Sequence, residues 1–419
     1  MISWTFSEQP CLSPDTPYDG KGVFTGCMIH GQDGSLNYAY TSVSALPIYH
    51  TLAHPKGSES LSLATSYDGG KTWKKIAGNP VLPSEPEHLD VTGWRDPFVS
   101  KWPNVANLLG LPLDDTLFGI ISGGIRDVTP TTFLYAINAL DLTQWKYIGP
   151  LASYGLNFRP SRWSGDLGRN WEVTNFCTLH DQNDPSVSRD FLVMGTEGCL
   201  PESSSNGDAI TGPSRPIRGQ LWMSGTPNPS VGGPTSGPVT LQYDFGGHLD
   251  HGCLYAANSF FDPTTQKQIV WGWITEEDLC DDFRHRQGWS GLLALPREIR
   301  LQTINHVIGA WKSGLADITS IEREWDSHGS YTIRTLASQP VQSVIDGLRK
   351  RASVRRARLA RRLDRSDGRD LAMTSDDIRT TQWELDCSFR VSRRCQKIGF
   401  SLVHSRGQSA GTNYNAILN

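Results

Sequence analysis

From residue 20 to about 310 the sequence is written as short apolar runs, each cut off by Gly, Pro, Asn or Asp: VFTGCMI, SLATS, LFGIISGG, TFLYAINAL, FLVMGTEG, IVWGWIT and GLLALP. Runs of this length between turn formers are too short for helices and read as strands. A chain of 419 residues punctuated by 41 Gly and 25 Pro is therefore expected to build one large all-β domain plus a smaller partner.

Within that region Ser66-Tyr67-Asp68-Gly69-Gly70-Lys71-Thr72-Trp73 resembles the Asp-box of sialidases, a hairpin in which Asp and Gly make the turn and Trp packs back. Asp141-Leu142-Thr143-Gln144-Trp145-Lys146-Tyr147-Ile148 echoes its end, aligning Trp145 with Trp73 and Ile148 with Ile76. A repeat of that length fits a four-stranded blade with an insertion and favours a β-propeller. Residues 202–240, rich in Ser, Gly and Pro, read as loops around one short strand, Gln220–Met223. A boundary is expected at 1–315 for the propeller, 316–330 for a linker and 331–419 for a partial β-sandwich, whose strands include Trp383–Phe389 and Ile398–Val403. The cationic stretch Arg349–Arg362 is expected as a surface helix or a solvated excursion.

The formal net charge is −4, so nothing in the overall field calls for nucleic acid; a neutral ligand fits better. Eight Cys at 11, 27, 177, 199, 253, 280, 387 and 395 lack Cys-x-x-Cys or Cys/His spacing, which argues against a structural metal or redox motif. Most are expected as buried thiols. No apolar run reaches the roughly 18 residues of a membrane span. Residues 1–10 do not read as a signal peptide, and Asn228-Pro229-Ser230 is barred as a sequon by its Pro. These features lean towards an intracellular protein; oligomeric state is not legible.

Trp94-Arg95-Asp96-Pro97-Phe98 sets a carboxylate and a guanidinium side by side at a Pro-stiffened turn, a combination suited to gripping a sugar. Arg95 is expected to keep Asp96 ionised, for transition-state stabilisation or simply to tie the turn. Glu172, in Asn170-Trp171-Glu172-Val173-Thr174-Asn175-Phe176, is the candidate acid/base, with Trp171 and Phe176 expected to desolvate it and raise its pKa; the other reading is a surface Glu on a half-buried strand. Trp94, Trp271, Trp273 and Trp289 are candidate platforms for a sugar face, or core.

The chain is similar to glycoside hydrolase family 32, the β-fructofuranosidases and fructosyltransferases, and most to its fungal fructosyltransferase-type branch. The resemblance rests on Gly22-Val23-Phe24-Thr25-Gly26-Cys27, Gly93–Val99, Trp171–Phe176, Gly195-Thr196-Glu197-Gly198, Leu249-Asp250-His251-Gly252 with Tyr255–Phe260, and Trp271–Leu279, in the family's order. It implies a five-bladed β-propeller, its first blade incomplete here, followed by a truncated β-sandwich. It implies retaining β-fructofuranosyl chemistry on sucrose or fructo-oligosaccharides without a metal or other cofactor. Asp96 would be the transition-state stabiliser and Glu172 the acid/base, with Trp94, Arg95, Glu197, His251 and Glu276 or Glu277 at the sugar. The family's nucleophile is an Asp on a strand preceding Phe-Thr-Gly, which begins here at Phe24; neither Asp15 nor Asp19 matches it. The resemblance thus leads to an expectation of a chain inactive for want of the nucleophile. The competing reading is a catalytically silent fructoside-binding propeller, and a third treats the motifs as scaffolding.

Overall fold

A computed structural model describes residues 3–200, 217–230, 237–277, 279–327, 329–350, 352–353, 384, 398–402 and 414–418. The strands come in consecutive antiparallel groups. The first sheet holds β1 (Gly22–His30), β2 (Leu36–Val43), β3 (Glu59–Ser66) and β4 (Lys74–Lys75). The second holds β5 (Val91–Ser100), β6 (Thr116–Ile125), β7 (Thr129–Asn138) and β8 (Asp141–Pro150), and the third β9 (Asn170–His180), β10 (Ser188–Glu197), β11 (Arg218–Pro229) and β12 (Val239–Asp250). The fourth contains β13 (Leu254–Asp262), β14 (Lys267–Ile274), β15 (Leu292–Leu293), β16 (Arg297–Val307), β17 (Glu322–Trp325) and β18 (Tyr331–Pro340). All four belong to one unit, residues 1–278 with 285–351, and are arranged like the blades of a propeller. In the second unit β19 (Ile398–Leu402) pairs antiparallel with β20 (Tyr414–Leu418).

The first strands of neighbouring sheets touch each other: β1 meets β5, β5 meets β9, and β9 meets β13. Being covered on both faces, β5 is buried along nearly its whole length, whereas the outer β8 mixes exposed and half-buried positions. Each first strand also breaks register at an equivalent place, where two residues oppose one: after Val23, Arg95, Glu172 and Tyr255. In three of the four the next residue adopts left-handed backbone, Asp96 at φ 61°, Val173 at 46° and Ala256 at 49°.

A bulge releases backbone N–H groups from the ladder, and buried donors need partners. They find them on the preceding sheet. Asp96 N donates to Thr41 Oγ1 at 2.7 Å, Val173 N to Asp96 Oδ2 at 3.0 Å, Thr174 N to Ser122 Oγ at 2.8 Å and Ala257 N to Gln220 Oε1 at 3.0 Å. Pro97, which has no N–H to satisfy, occupies the second bulge position of β5. Apolar side chains fill the remaining space between sheets: Phe176 stacks on Trp102 at 4.2 Å and meets Phe98 edge-on.

The Asp-box and its echo occupy matching hairpins, β3–β4 and β7–β8. Asp68 accepts the amides of Lys71 and Thr72, Gly69 and Gly70 supply positive φ, and Trp73 Nε1 donates to Gly70 O. Trp145 Nε1 donates to Leu142 O in the same three-residue reach, and Asp141 accepts Thr143 N. The predicted alignment of the two Trp residues is thus a shared local geometry.

Other expectations change. Gln220–Met223 is part of the 12-residue β11, because its partners β10 and β12 continue the sheet on both sides. Residues 322–325 and 331–340, expected in a linker and a sandwich, are β17 and β18; β18 pairs with β16 on one side and β17 on the other. Of the six described Cys, Cys27 is buried, Cys177, Cys199 and Cys253 are half-buried, and Cys11 and Cys280 are exposed. Trp383–Phe389 lies outside the described residues except for Glu384, as does most of the cationic stretch beyond Lys350. Among the described residues no helix is long and apolar enough to cross a membrane.

Candidate functional site

The residues at the register breaks of β5, β9 and β13 converge. Arg95 donates from Nε and Nη2 to Glu172 Oε1 at 3.0 and 2.7 Å, and Tyr255 Oη donates to Glu172 Oε2 at 2.8 Å. From the first sheet Glu59 accepts Arg95 Nη1 at 3.1 Å. Glu59, Arg95, Glu172 and Tyr255 thus form one string of side-chain bonds with a member from each sheet. Side-chain exposure separates the carboxylates: 19% for Glu172, 7% for Glu197 and 0% for Glu59. Of the three around Arg95, Glu172 is the one open to a ligand.

The neighbours expected to desolvate Glu172 do otherwise. Trp171 is fully buried, with its Nε1 on Leu167 O, and Phe176 packs on Trp102. The carboxyl is instead held by Arg95 and Tyr255. Burial raises the Tyr255 pKa well above its ordinary value, and Glu172 adds to the rise, so the phenol stays a donor.

Asp96 is also corrected. It lies beside Arg95 in sequence, but its left-handed backbone sends Oδ2 to Val173 N while the guanidinium reaches Glu172 and Glu59. Burial pushes the Asp96 pKa up to about 7; Arg95 pulls it down and the charge of Glu172 pushes it back up. Arg95 therefore does not hold Asp96 firmly ionised, because the desolvation of a fully enclosed carboxyl exceeds the attraction.

Glu197 joins the cluster 3.6 Å from Arg95 Nη2, 3.3 Å from Arg218 Nη2 and 3.5 Å from His50 Nδ1, and accepts Asn170 Nδ2 at 3.0 Å. Burial opposes its ionisation, but His50, Arg95 and Arg218 together outweigh it and lower the pKa. The adjacent glutamates separate cleanly. Glu277 pairs with Arg218 at 3.3 Å, whose guanidinium lies over the Tyr255 ring, so Glu277 belongs to the cluster. Glu276 accepts Gly291 N and Gln287 Nε2 and fastens that loop.

Two candidates fall away from the site. Trp94 is 1% exposed with its ring edge-on to Tyr135, and a core residue cannot stack on a sugar. His251 is exposed before β13 and stacks on His248 at 4.5 Å; the described contacts do not bring it to Arg95 or Glu172. Trp271 is half-buried against Trp4, while Trp273 and Trp289 remain exposed.

Sequence reading did not single out Glu59, His50, His54, Arg218 or Tyr255. Tyr255 opens the Tyr255–Phe260 motif and shares the bulge position of Arg95 and Glu172, a correspondence that appears only in the strand pairing. The motif glycines carry a spatial signal. A Cβ on Gly93 would lie 2.4 Å from Arg95 Nη1, and one on Gly195 2.8 Å from the Tyr255 ring. Each glycine makes room for a cluster side chain. Among the described residues no His, Cys, Asp and Glu group is placed to hold a metal ion.

Residues 1–310 match the model of the glycosyl hydrolases family 32 N-terminal domain. A fructan 6-exohydrolase of Beta vulgaris is 25% identical over 329 residues, covering 76% of this chain and 46% of that protein. The β-fructofuranosidase, insoluble isoenzyme CWINV6, of Arabidopsis thaliana is 26% identical, covering 74% of this chain and 49% of its own length. Among solved structures, the fructosyltransferase from A. japonicus superposes with a TM-score of 0.70 at 27% identity, covering 82% of this chain and 59% of that one. The Aspergillus kawachii β-fructofuranosidase complexed with glycerol also gives 0.70, at 29% identity and covering 81% and 57%. The chain spans about half the length of these curated relatives.

Proposed function

The chain belongs to glycosyl hydrolases family 32, and from that premise we propose that its central cluster is a fructoside site built for retaining β-fructofuranosyl chemistry on sucrose or fructo-oligosaccharides. The observation that carries the reading is the setting of Glu172. It is the ligand-accessible carboxyl of the string, fixed on both oxygens by Arg95 and Tyr255, with Asp96 bonded to the next backbone amide. In this role Glu172 gives its proton to the leaving glycosyl oxygen and later takes one from the acceptor, water or a sugar hydroxyl. Asp96, once ionised, accepts sugar hydroxyl hydrogen bonds as positive charge develops at the anomeric carbon. Arg95, Glu197, Arg218 and Glu277 supply further polar contacts.

A covalent intermediate also needs a second carboxylate on the opposite side of the anomeric carbon, about 5–5.5 Å from the acid/base. We assign none of the described carboxylates to it. Glu59 is fully buried and bonded on both oxygens, Glu197 is held by Arg218, Asn170 and His50, and Asp96 is tied by Oδ2 to Val173 N and given to the sugar hydroxyls in this reading. By this reading the chain on its own binds fructosides and turns them over poorly or not at all. We read the four sheets as blades of a five-bladed propeller ending after β18, with β19 and β20 as part of a sandwich.

The test pairs calorimetric binding of 1-kestose with glucose release from sucrose, for the chain and for Glu172→Gln. Saturable binding without release is the expected result. Release that falls about 10²–10⁴-fold in Glu172→Gln would support the proton role and place a nucleophile within the chain. Failure to bind, or release indifferent to Glu172, would overturn the assignment.

A further inference from the structure

We propose that Glu59 is the positioning residue that aims Arg95, gripping its guanidinium from behind while Glu172 faces the ligand; the functional half of this inference rests on the fructoside reading above. Arg95 presents Nε and Nη2 to Glu172, which leaves Nη1 as the free end of the fork. Glu59 Oε1 takes it at 3.1 Å. The other oxygen, Oε2, accepts the backbone N–H of Trp94 at 2.7 Å. One carboxylate thus holds both the head of Arg95 and the strand just before it, fixing the guanidinium against its own backbone.

The surroundings fit a positioning part and not a ligand-binding one. Glu59 has no exposed side-chain surface, so it cannot meet a sugar. A carboxylate buried this deeply is costly unless its charge and both oxygens are matched. Arg95 and Trp94 N do the matching from one side. On the other, the buried His54 stands 3.7 Å from Glu59 Oε2 by Nδ1 and 3.6 Å from Glu85 Oε2 by Nε2, and Glu85 also accepts Gly57 N. The side chains facing Glu59 are therefore the Arg95 guanidinium from β5 and the His54 imidazole from the loop before β3, with Glu85 behind His54. Gly93, by lacking a Cβ, leaves the channel through which Nη1 reaches Glu59. Arg has a long, many-rotamer side chain, and a planar fork delivers its bonds only if held in plane.

The measurement is the Nε–H resonance of Arg95 in a ¹H–¹⁵N spectrum, identified by its loss in Arg95→Lys, alongside thermal stability and 1-kestose affinity. In Glu59→Gln we expect the resonance to move and its exchange with water to quicken at least ten-fold, with 1-kestose affinity down ten-fold or more. Glu59→Asp, which keeps the charge but falls short of Nη1, should lie between the two. A residue that merely supports the fold would lower the melting temperature and leave the Nε–H signal alone, and that result would overturn the proposal. A resonance that moves while neither form binds 1-kestose would uphold the clamp and sink the fructoside reading. If Glu59→Gln does not fold, Gly93→Ala displaces Nη1 without removing any charge, and an unmoved resonance there would equally overturn the clamp.

Discussion

Asp96 carries the sharpest consequence of the local environment for pH. Its folded pKa of about 7 stands above the ordinary value of 3.8 because burial outweighs the pull of Arg95. A group whose pKa is raised by folding contributes stability that is fully present below its unfolded pKa and lost as pH rises through the folded one. Asp96 therefore destabilises the fold progressively between about pH 4 and pH 7. Asp96→Asn keeps an acceptor for Val173 N and removes the charge, so its melting temperature should match the parent near pH 4 and exceed it by several degrees above pH 7. A difference between variant and parent that is flat across pH would show that Asp96 is not the buried acid described. The sequence singled out the Arg95–Asp96 pair but suggested that the two hold each other. It could not show that the backbone at Asp96 turns left-handed, which divides the two side chains between different partners. Glu172 was likewise singled out, while its partners, Arg95 and Tyr255, lie 77 and 83 positions away.

At the scale of the element, the four bulged first strands explain why motifs of different sequence do related work. Val23, Arg95, Glu172 and Tyr255 share a position, and in three of these strands the adjoining residue is a non-glycine at positive φ. That backbone costs roughly 1–2 kcal/mol per residue, and at Val173 a β-branched side chain makes it dearer. The bonds from the freed amides to the neighbouring sheet hold the bulges in place. Ala256 isolates the strain, being small and half-buried. Ala256→Gly should leave stability unchanged or raise it by up to about 1 kcal/mol, since relief of the left-handed strain offsets the entropy of Gly. Ala257→Gly, one residue on, fully buried and without positive φ, should cost about 1 kcal/mol or more. Equal effects in urea denaturation would contradict the bulge assignment. The Asp-box and its echo were readable because the Asp and Trp of each act within a few residues of one another. The bulges were not, since the signal for two residues opposing one lies on the partner strand.

For the whole molecule the question is what ties the first sheet to the fourth. The strand runs made the sheets themselves legible, and the spaced Trp73 and Trp145 pointed to their repetition, but no local pattern announces a contact between Gly26 and Asn258, 232 positions apart. There Asn258 Nδ2 donates to the buried Gly26 O at 3.1 Å, next to the bulges of β13 and β1. Trp4 adds an edge-on contact to Trp271 in β14. The second and third sheets, by contrast, share an extensive core through β5, β6 and β9 and dock on each other by the amides of Val173 and Thr174. Stability should therefore be uneven, weakest where the fourth sheet meets the first. Asn258→Ala strips the buried Gly26 carbonyl of its side-chain donor, a loss expected to cost about 1–3 kcal/mol. In native-state hydrogen exchange the amides of β1 and β13 should quicken in this variant before those of β6 and β7 respond. Uniform acceleration across all four sheets would mean that they unfold as a single block and that the Asn258 bond is only one tie among many. Selective acceleration would instead locate the seam at which the first and fourth sheets part.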